Sequence, residues 1–238
     1  HATPGAFYAH VKDRDSHEEI ALDLIDANID FFAGGGLKYL KRRKDKKDLY
    51  ATLLSKNYQL DSVALSPYNI HKRNGYLLAN DGLPSKLEGR KSFFQDATQL
   101  GLDYLTEKEK PFFLMIEGSY IDWGGHAMDA ELLKQEVLDF DKTLGVVLNY
   151  IKKHPNTLLV VTADHETGGV SIGKSYVIDE ATGEKQEEVT NVSINFNNDQ
   201  HSGTLIPVFA KGPGAPLFKG IYENNEIYHK ILKAIHNK

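Results

Sequence analysis

FFLMIEGSYIDWGGHAMDAE, residues 112–131, decides how the chain is read. Phe112, Phe113, Leu114, Met115 and Ile116 form an apolar run that stops abruptly at polar residues, the pattern of a buried strand. Glu117, Asp122 and His126 follow at spacings of five and four. Gly124-Gly125 is a poor helix centre and allows a tight path just past the strand. Asp122 and His126 therefore either share one helical turn or fold back around a common point. A carboxylate and an imidazole converging at the carboxyl end of a strand suggest a divalent metal site. The competing reading is a helix start with Asp122 as N-cap and His126 in solvent.

Two later stretches favour the metal. Leu158–Val161 is a second apolar run, and it ends in Thr162-Ala163-Asp164-His165. His201-Ser202-Gly203 precedes a third, Leu205–Ala210. In open parallel sheets, ligands collect at the carboxyl ends of the strands. Leu132–Lys153 reads as a long helix joining the first such strand to the second. Its expected buried stripe is Leu133, Val137, Leu138, Phe140, Leu144, Val147, Leu148 and Ile151. Strand, helix and strand in that order favour a parallel sheet with right-handed crossovers.

Four motifs carry a family resemblance. GSYIDWGGHAMD, VTADHETGG and HSG followed by PVFAKGPGA resemble the metal-binding motifs of alkaline phosphatase. The opening HATPGAFYAHVKDR resembles the segment of that family with a magnesium-ligand threonine and a phosphate-binding arginine. Order and spacing agree over nearly the whole chain. The resemblance implies an α/β fold, a mostly parallel sheet flanked by helices, forming one partial catalytic domain over residues 1–238. It implies two zinc ions and one magnesium ion. Asp122, His126 and His201 match the ligands of one zinc, leaving a position open for water or substrate oxygen. Asp164 and His165 match two ligands of the second zinc. Glu117 and Thr3 match protein ligands of magnesium. Arg14 would hold two phosphate oxygens with its planar fork. His1 fills a variable place near the magnesium site and is not counted as a ligand. The implied reaction is phosphate monoester hydrolysis through a phosphoserine, with inorganic phosphate as product. The serine, and an aspartate bridging two metals, are not among the matched residues. The chain, which opens inside a motif at His1, is accordingly read as a fragment or processed portion, incomplete at the N-terminus and inactive alone. A homodimer and a periplasmic or secreted location also come from the resemblance. Trp123 and Thr167 stand at positions that vary in the family, Thr167 where some members carry a histidine behind the metal ligands.

Composition is compatible with this. The chain has 238 residues, enough for a well-buried core. A net charge of −5 gives no electrostatic reason to propose nucleic acid as partner. With no cysteine, disulfides and thiolate ligands are excluded, so any zinc must use His and Asp. No apolar run approaches a membrane span, and no signal peptide is present.

Elsewhere the sequence predicts ordinary structure. Ala6–Val11 begins a helix leading to Arg14. Ser16–Ala27 is an amphipathic helix with a Ser16/Glu19 capping box. Ile29–Ala33 is a strand closed by a tight turn at Gly34-Gly35-Gly36. Lys38–Lys47 is a solvated basic run. Asp48–Lys56 is a helix and Tyr58–Ala64 a strand. Pro67–Pro84 is loop, with Asn74-Gly75 and Asp81-Gly82 as turns. Ser92–Leu105 is a helix. GGVSIGKS, residues 168–175, matches the P-loop pattern. A P-loop needs a helix at its Lys-Ser, whereas Tyr176-Val177-Ile178 and a turn at Asp179–Gly183 read as a hairpin. Glu184–Asp199 is polar loop with one strand-like piece, and Asn191-Val192-Ser193 fits a glycosylation sequon. Glu223–His236 is a terminal helix. His71, His154, His229 and His236 are surface residues.

Rival readings keep the metals and change the chemistry to a phosphodiesterase or a phosphomutase, or keep a metal-binding module without catalysis.

Overall fold

The computed structural model describes residues 2–236, so His1 lies outside the described residues. The chain divides into two compact units. One holds the chain up to Glu117 together with Lys142–Val146; the other holds Gly118–Asp141 and the chain from Val147 onward. Both belong to a mixed α/β fold.

The first unit opens with α1, Ala2–Ala6, rather than with a helix over Ala6–Val11. Pro4 lies in the first turn, where a missing N–H costs nothing. Turns close at Tyr8 and Ala9 on the Gly5 carbonyl, and Arg14 follows in an exposed turn. Helix α2, His17–Asp23, has Ser16 at its N-cap, but the Ser16 side chain makes no capping bond. The Ser16 half of the expected Ser16/Glu19 capping box is therefore absent, and the neighbouring Glu18 accepts the Lys44 amide.

A three-stranded parallel sheet follows. Strand β1, Phe31–Gly34, leads through α3, Leu37–Lys41, and α4, Leu49–Ser55, into β2, Tyr58–Asp61. Strand β3, Arg73–Leu77, inserts between β1 and β2 with Asn74 opposite Phe31 on one side and Gln59 on the other. Asp48 caps α4 by accepting the Ala51 amide at 2.8 Å. Leu40, Leu49, Leu53, Tyr58 and Leu77 form the core beneath.

Asn74-Gly75 is thus mid-strand and not a turn. Asn74 is fully buried; it accepts the Asn69 amide and donates to the Asn69 and Lys72 carbonyls, fixing the loop that feeds the strand. A Cβ on Gly75 would stand 2.3 Å from the Phe32 ring and 2.6 Å from Leu60, so the glycine is there for space. Buried tyrosines work similarly: Tyr58 donates to Ile29, Tyr76 to Ser66 and Tyr104 to Lys72, each to a carbonyl outside the ladder. Helix α5, Phe93–Glu107, covers β1, with Gly101 against the Phe31 ring.

The charged side chains of the basic run 38–47 are exposed or half-buried except at Arg43, whose buried guanidinium donates to Glu18 and Tyr39 carbonyls and to both Asp45 oxygens. That fork holds the Asp45 carboxyl down from its ordinary 3.8 to about 2. The folded chain therefore keeps Asp45 ionised where the unfolded chain protonates it. The stability it contributes is complete above pH 3.8 and is lost as pH falls toward 2. Asp45→Asn is expected to flatten the acid limb of stability in this window, read as urea midpoints at successive pH values.

Phe112–Ile116 forms no strand: the segment has no ladder partner among the described residues, and Phe113 is 55% exposed, stacked on Phe7. Apolar sequence alone cannot make a strand without a neighbouring edge to bond. The parallel pairing of this fold lies in β1, β3 and β2 instead.

The second unit begins with α6, Tyr120–His126, and continues into α7, Ala130–Lys153, capped by Asp129. The Asp129 carboxylate accepts the Glu131 and Leu132 amides at 3.0 Å. Leu133, Val147 and Ile151 of α7 are buried as expected. Its middle is not: Val137 and Leu138 are exposed, while Glu136, Asp139 and Thr143 are buried. Thr143 accepts a hydrogen bond from Gln95 at 2.9 Å, and none of the three lacks a partner. Polar partners, not hydropathy, set which face turns inward there. Strand β4, Leu159–Val161, then leads to β5, Glu166–Thr167.

Strands β6, Ser171–Ile178, and β7, Lys185–Asn195, form the hairpin expected around the P-loop-like motif, although β7 is a full strand where loop is predicted. Lys174 pairs with Glu187 at 2.6 Å, and the motif runs into a ladder and not into a helix N-terminus. Strand β8, His201–Ser202, pairs antiparallel with β5. Strand β9, Phe209–Lys211, pairs antiparallel with β4. A 3-10 turn at Ala215–Phe218 and α8, Glu226–His236, end the described chain. No helix of the described residues is long and apolar enough to cross a membrane.

Candidate metal centre

Asp122 and His126 share one turn of α6, the first of the two arrangements the spacing allows. The N-cap position of α6 is Ser119, so Asp122 is not its cap. Gly124 and Gly125 lie within the helix, and two close neighbours leave no room for a side chain on either. A Cβ on Gly124 would stand 2.8 Å from the Leu133 backbone, and one on Gly125 would stand 2.8 Å from the Thr167 carbonyl. The pair is thus a close-packing device that seats α6 against α7 and β5.

That seating brings β8 to α6. Thr167 pairs with His201 across the β5–β8 ladder. His201 Nε2 lies 3.1 Å from His126 Nε2 and 3.6 Å from Asp122 Oδ1; His126 Nε2 lies 3.5 Å from the same oxygen. Ligand atoms of all three residues fall within 4.8 Å of one another. Zinc bonds of about 2.0 Å in a tetrahedron put ligand atoms roughly 3.3 Å apart, so this set fits the ion. The tautomer fits as well. His126 Nδ1 lies 2.7 Å from the Asp199 carbonyl, which can only accept. The ring proton is therefore on Nδ1, and the Nε2 lone pair faces Asp122 and His201.

Asp164 and His165 follow β4 in the same unit. His165 Nε2 is 3.1 Å from Asp164 Oδ2, and its ring stacks on His201 with centroids 3.4 Å apart. Thr167 Oγ1 donates to Asp122 Oδ1 at 2.5 Å and lies 3.2 Å from His165 Nδ1. With the Thr167 hydroxyl directed at the Asp122 carboxylate, its oxygen faces His165 Nδ1, while His165 Nε2 faces the Asp164 carboxylate, a contact that either a ring proton or a shared cation completes. Behind them, Ser202 donates to Glu166 across the ladder, which holds the Glu166 carboxyl below its usual range, helped by the Val170 amide.

Thr3, Arg14 and Glu117 belong to the other unit. Thr3 is half-buried on α1, Arg14 is exposed, and Glu117 is half-buried directly after the apolar run. The Asp199 carbonyl and the Glu166–Ser202 pair went unread in the sequence. A backbone carbonyl leaves no signature in residue type, while the cross-strand pair needed the register of a two-residue ladder.

The alkaline phosphatase family model matches residues 1–200. The chain belongs to the alkaline phosphatase family. Alkaline phosphatase 4 of Bacillus subtilis (strain 168) is 27% identical over 302 residues, covering 98% of this chain and 65% of that protein. Alkaline phosphatase 3 of the same organism is 28% identical, covering 99% and 65%. The chain thus spans about two thirds of the length of these relatives. Among solved structures, alkaline phosphatase from the Antarctic bacterium TAB5 superposes with a TM-score of 0.90 at 43% identity, over 98% of this chain and 68% of that one. A histidine-to-aspartate variant of the TAB5 enzyme, with Mg bound in its M3 site, gives a TM-score of 0.90 at 46% identity over the same shares. The α/β fold read from the sequence is that of these alkaline phosphatases.

Proposed function

We propose that the chain is the metal-binding portion of a phosphomonoesterase that works through a phosphoserine. The observation that carries this reading is the convergence of Asp122, His126 and His201. Those three residues hold one zinc; Asp164 and His165 supply two ligands of a second; Thr3 and Glu117 bind magnesium. Bound metals would lower the pKa of an attacking hydroxyl and neutralise charge on the entering and leaving oxygens. The chain's own residues set the stage for that. His126 Nδ1 is held by the Asp199 carbonyl, which leaves Nε2 turned toward the other ligands. Asp122 is aimed by Thr167, and Arg14 offers a planar fork to the non-transferring phosphate oxygens. By the resemblance, the serine that accepts the phosphoryl group is not among the matched residues, and the chain by itself is expected not to turn over. The physiological assembly is a homodimer exported from the cytoplasm, by the same resemblance.

Elemental analysis of the purified chain tests the metal half. About one zinc per chain is expected, from the three-ligand site, and none after Asp122→Ala. A wild-type chain that takes up no zinc after reconstitution would defeat the reading. Rates of the complete protein on mono- and diesters of p-nitrophenol test the chemistry: monoester turnover is expected to dominate, and faster diester cleavage would favour the phosphodiesterase alternative.

A further inference from the structure

We propose that the loop 41–47 is a docking surface for a flexible linear phosphate polyanion, separate from the metal centre. Residues 38–47 hold seven Lys or Arg and one Asp, a net +6 in a chain of net −5, which leaves −11 for all other residues. The loop joins the end of α3 to the start of α4. Its side chains sort into two groups. Arg43 and Asp45 face each other: the Arg43 side chain, 2% exposed, donates from Nε and Nη2 to the two Asp45 oxygens at 2.9 and 2.7 Å. The one acid of the run is thereby engaged within the loop. Lys41, Arg42, Lys44, Lys46 and Lys47 are exposed, and none of the five is in an ion pair among the described residues. Elsewhere in this unit the pattern is different, with Lys38 paired to Asp81, Lys56 to Asp26 and Lys108 to Asp30.

Hydrogen bonds hold these cations in place before any ligand arrives. Arg43 also donates to the Glu18 and Tyr39 carbonyls at 2.7 and 3.0 Å. The amides of Lys44, Lys46 and Lys47 donate to the Glu18 carboxylate, the Arg43 carbonyl and the Asp45 carboxylate. Five like charges this close repel one another, and an anion laid along them relieves that repulsion. Because the loop is already ordered, little conformational entropy is lost on binding. Lys and Arg both make charge-assisted hydrogen bonds to phosphate oxygens. The surroundings select the shape of the partner. Glu18 lies at the base of the loop and Asp48 directly follows it as the cap of α4. A flat anionic membrane would press on these carboxylates and on the acidic remainder of the chain. A flexible chain of phosphates can follow the loop alone.

Labelled inorganic polyphosphate is titrated with the chain in excess chelator, so that no metal bridges the two and the result stands apart from the zinc reading. Binding is expected, and orthophosphate at equal total phosphate should fail to compete. Five side chains that each neutralise one phosphate give a slope of log affinity against log salt of about −3.5, or roughly 100-fold weaker binding at 200 than at 50 mM salt. Arg42→Gln, Lys44→Gln, Lys46→Gln and Lys47→Gln together should reduce the slope to about −0.7, the share of Lys41 alone. Lys110→Gln, Lys152→Gln, Lys153→Gln and Lys219→Gln together remove the same charge from other exposed positions and should leave the slope near wild type. No binding at low salt, equal weakening by the two sets, or full competition by orthophosphate would overturn the proposal. So would tighter binding to phosphatidylglycerol vesicles than to polyphosphate, which would make a membrane the partner. The wild-type slope and the orthophosphate arm decide even where the loop variant does not fold.

Discussion

His201→Ala is expected to remove zinc from the three-ligand site and lower the zinc content by about one ion per chain. His201 arrives from β8, 75 residues beyond His126, whereas Asp122 and His126 lie on a single helical turn. Without His201 only that turn remains, and two donors on one helical turn make a weak site. We expect the zinc dissociation constant to rise at least about 100-fold, equivalent to roughly 2.7 kcal/mol of lost metal-dependent stabilisation. The metal-free chain should scarcely notice. The His201 side chain is 45% exposed, and its pairing with Thr167 is through the backbone, which alanine preserves. The diagnostic result is therefore a split: the metal-free melting temperature unchanged, the gain on adding zinc gone. Equal losses with and without zinc would mark His201 as a structural residue, against the metal reading.

Gly35→Ala should give the largest loss of stability in the first unit. An added Cβ would stand 1.8 Å from the Asp81 carbonyl oxygen and 2.9 Å from its carbon. That backbone cannot step aside. The Asp81, Ala79 and Asn80 carbonyls accept the amides of Gly36, Leu37 and Lys38 at 2.7, 3.1 and 3.0 Å, and the Asp81 carboxylate is held by Lys38 and Tyr39. Overpacking against fixed backbone lies at the upper end of the usual range, about 3 kcal/mol. Gly34→Ala is the control, since a Cβ there meets nothing within 4 Å. It should change stability by less than about 1 kcal/mol. Denaturant melts and exchange protection of the β1 and β3 amides read the difference. Equal effects of the two substitutions would show that the turn yields.

These glycines show what a sequence discloses and what it withholds. The triple glycine was legible as a tight turn because a strand pattern ran into it. Asn74-Gly75 carries the same turn chemistry, yet lies mid-strand: its glycine leaves room for Phe32 and Leu60. Only the packing of neighbouring strands distinguishes the two cases. The long helix α7 was legible from period and length, but its inward face was misplaced where Glu136 and Asp139 are buried in place of Val137 and Leu138. Phe112–Ile116 read as a strand on hydropathy and finds no ladder. At the metal centre, the Asp-His spacing on α6 and the Asp-His and His-Ser-Gly runs were visible because ligands must be particular residue types. What orients them was not, because the Asp199 carbonyl and the Thr167 hydroxyl depend on register and chain path.

The β6–β7 hairpin leaves the site between His165 and His201, yet it does not hold them. Its base is fastened first, by the β5–β8 ladder and by hydrogen bonds of 2.9 Å from Gly168 to Gln200 and from Asn197 to Gly168. Beyond that clasp it is largely open to solvent, with Ile172 71% and Val189 84% exposed. Chain length is therefore uncoupled from ligand geometry over this stretch. The hairpin can be trimmed, extended or replaced by a larger insert while the two histidines keep their places, which makes it the natural port for grafting an affinity tag or a reporter domain.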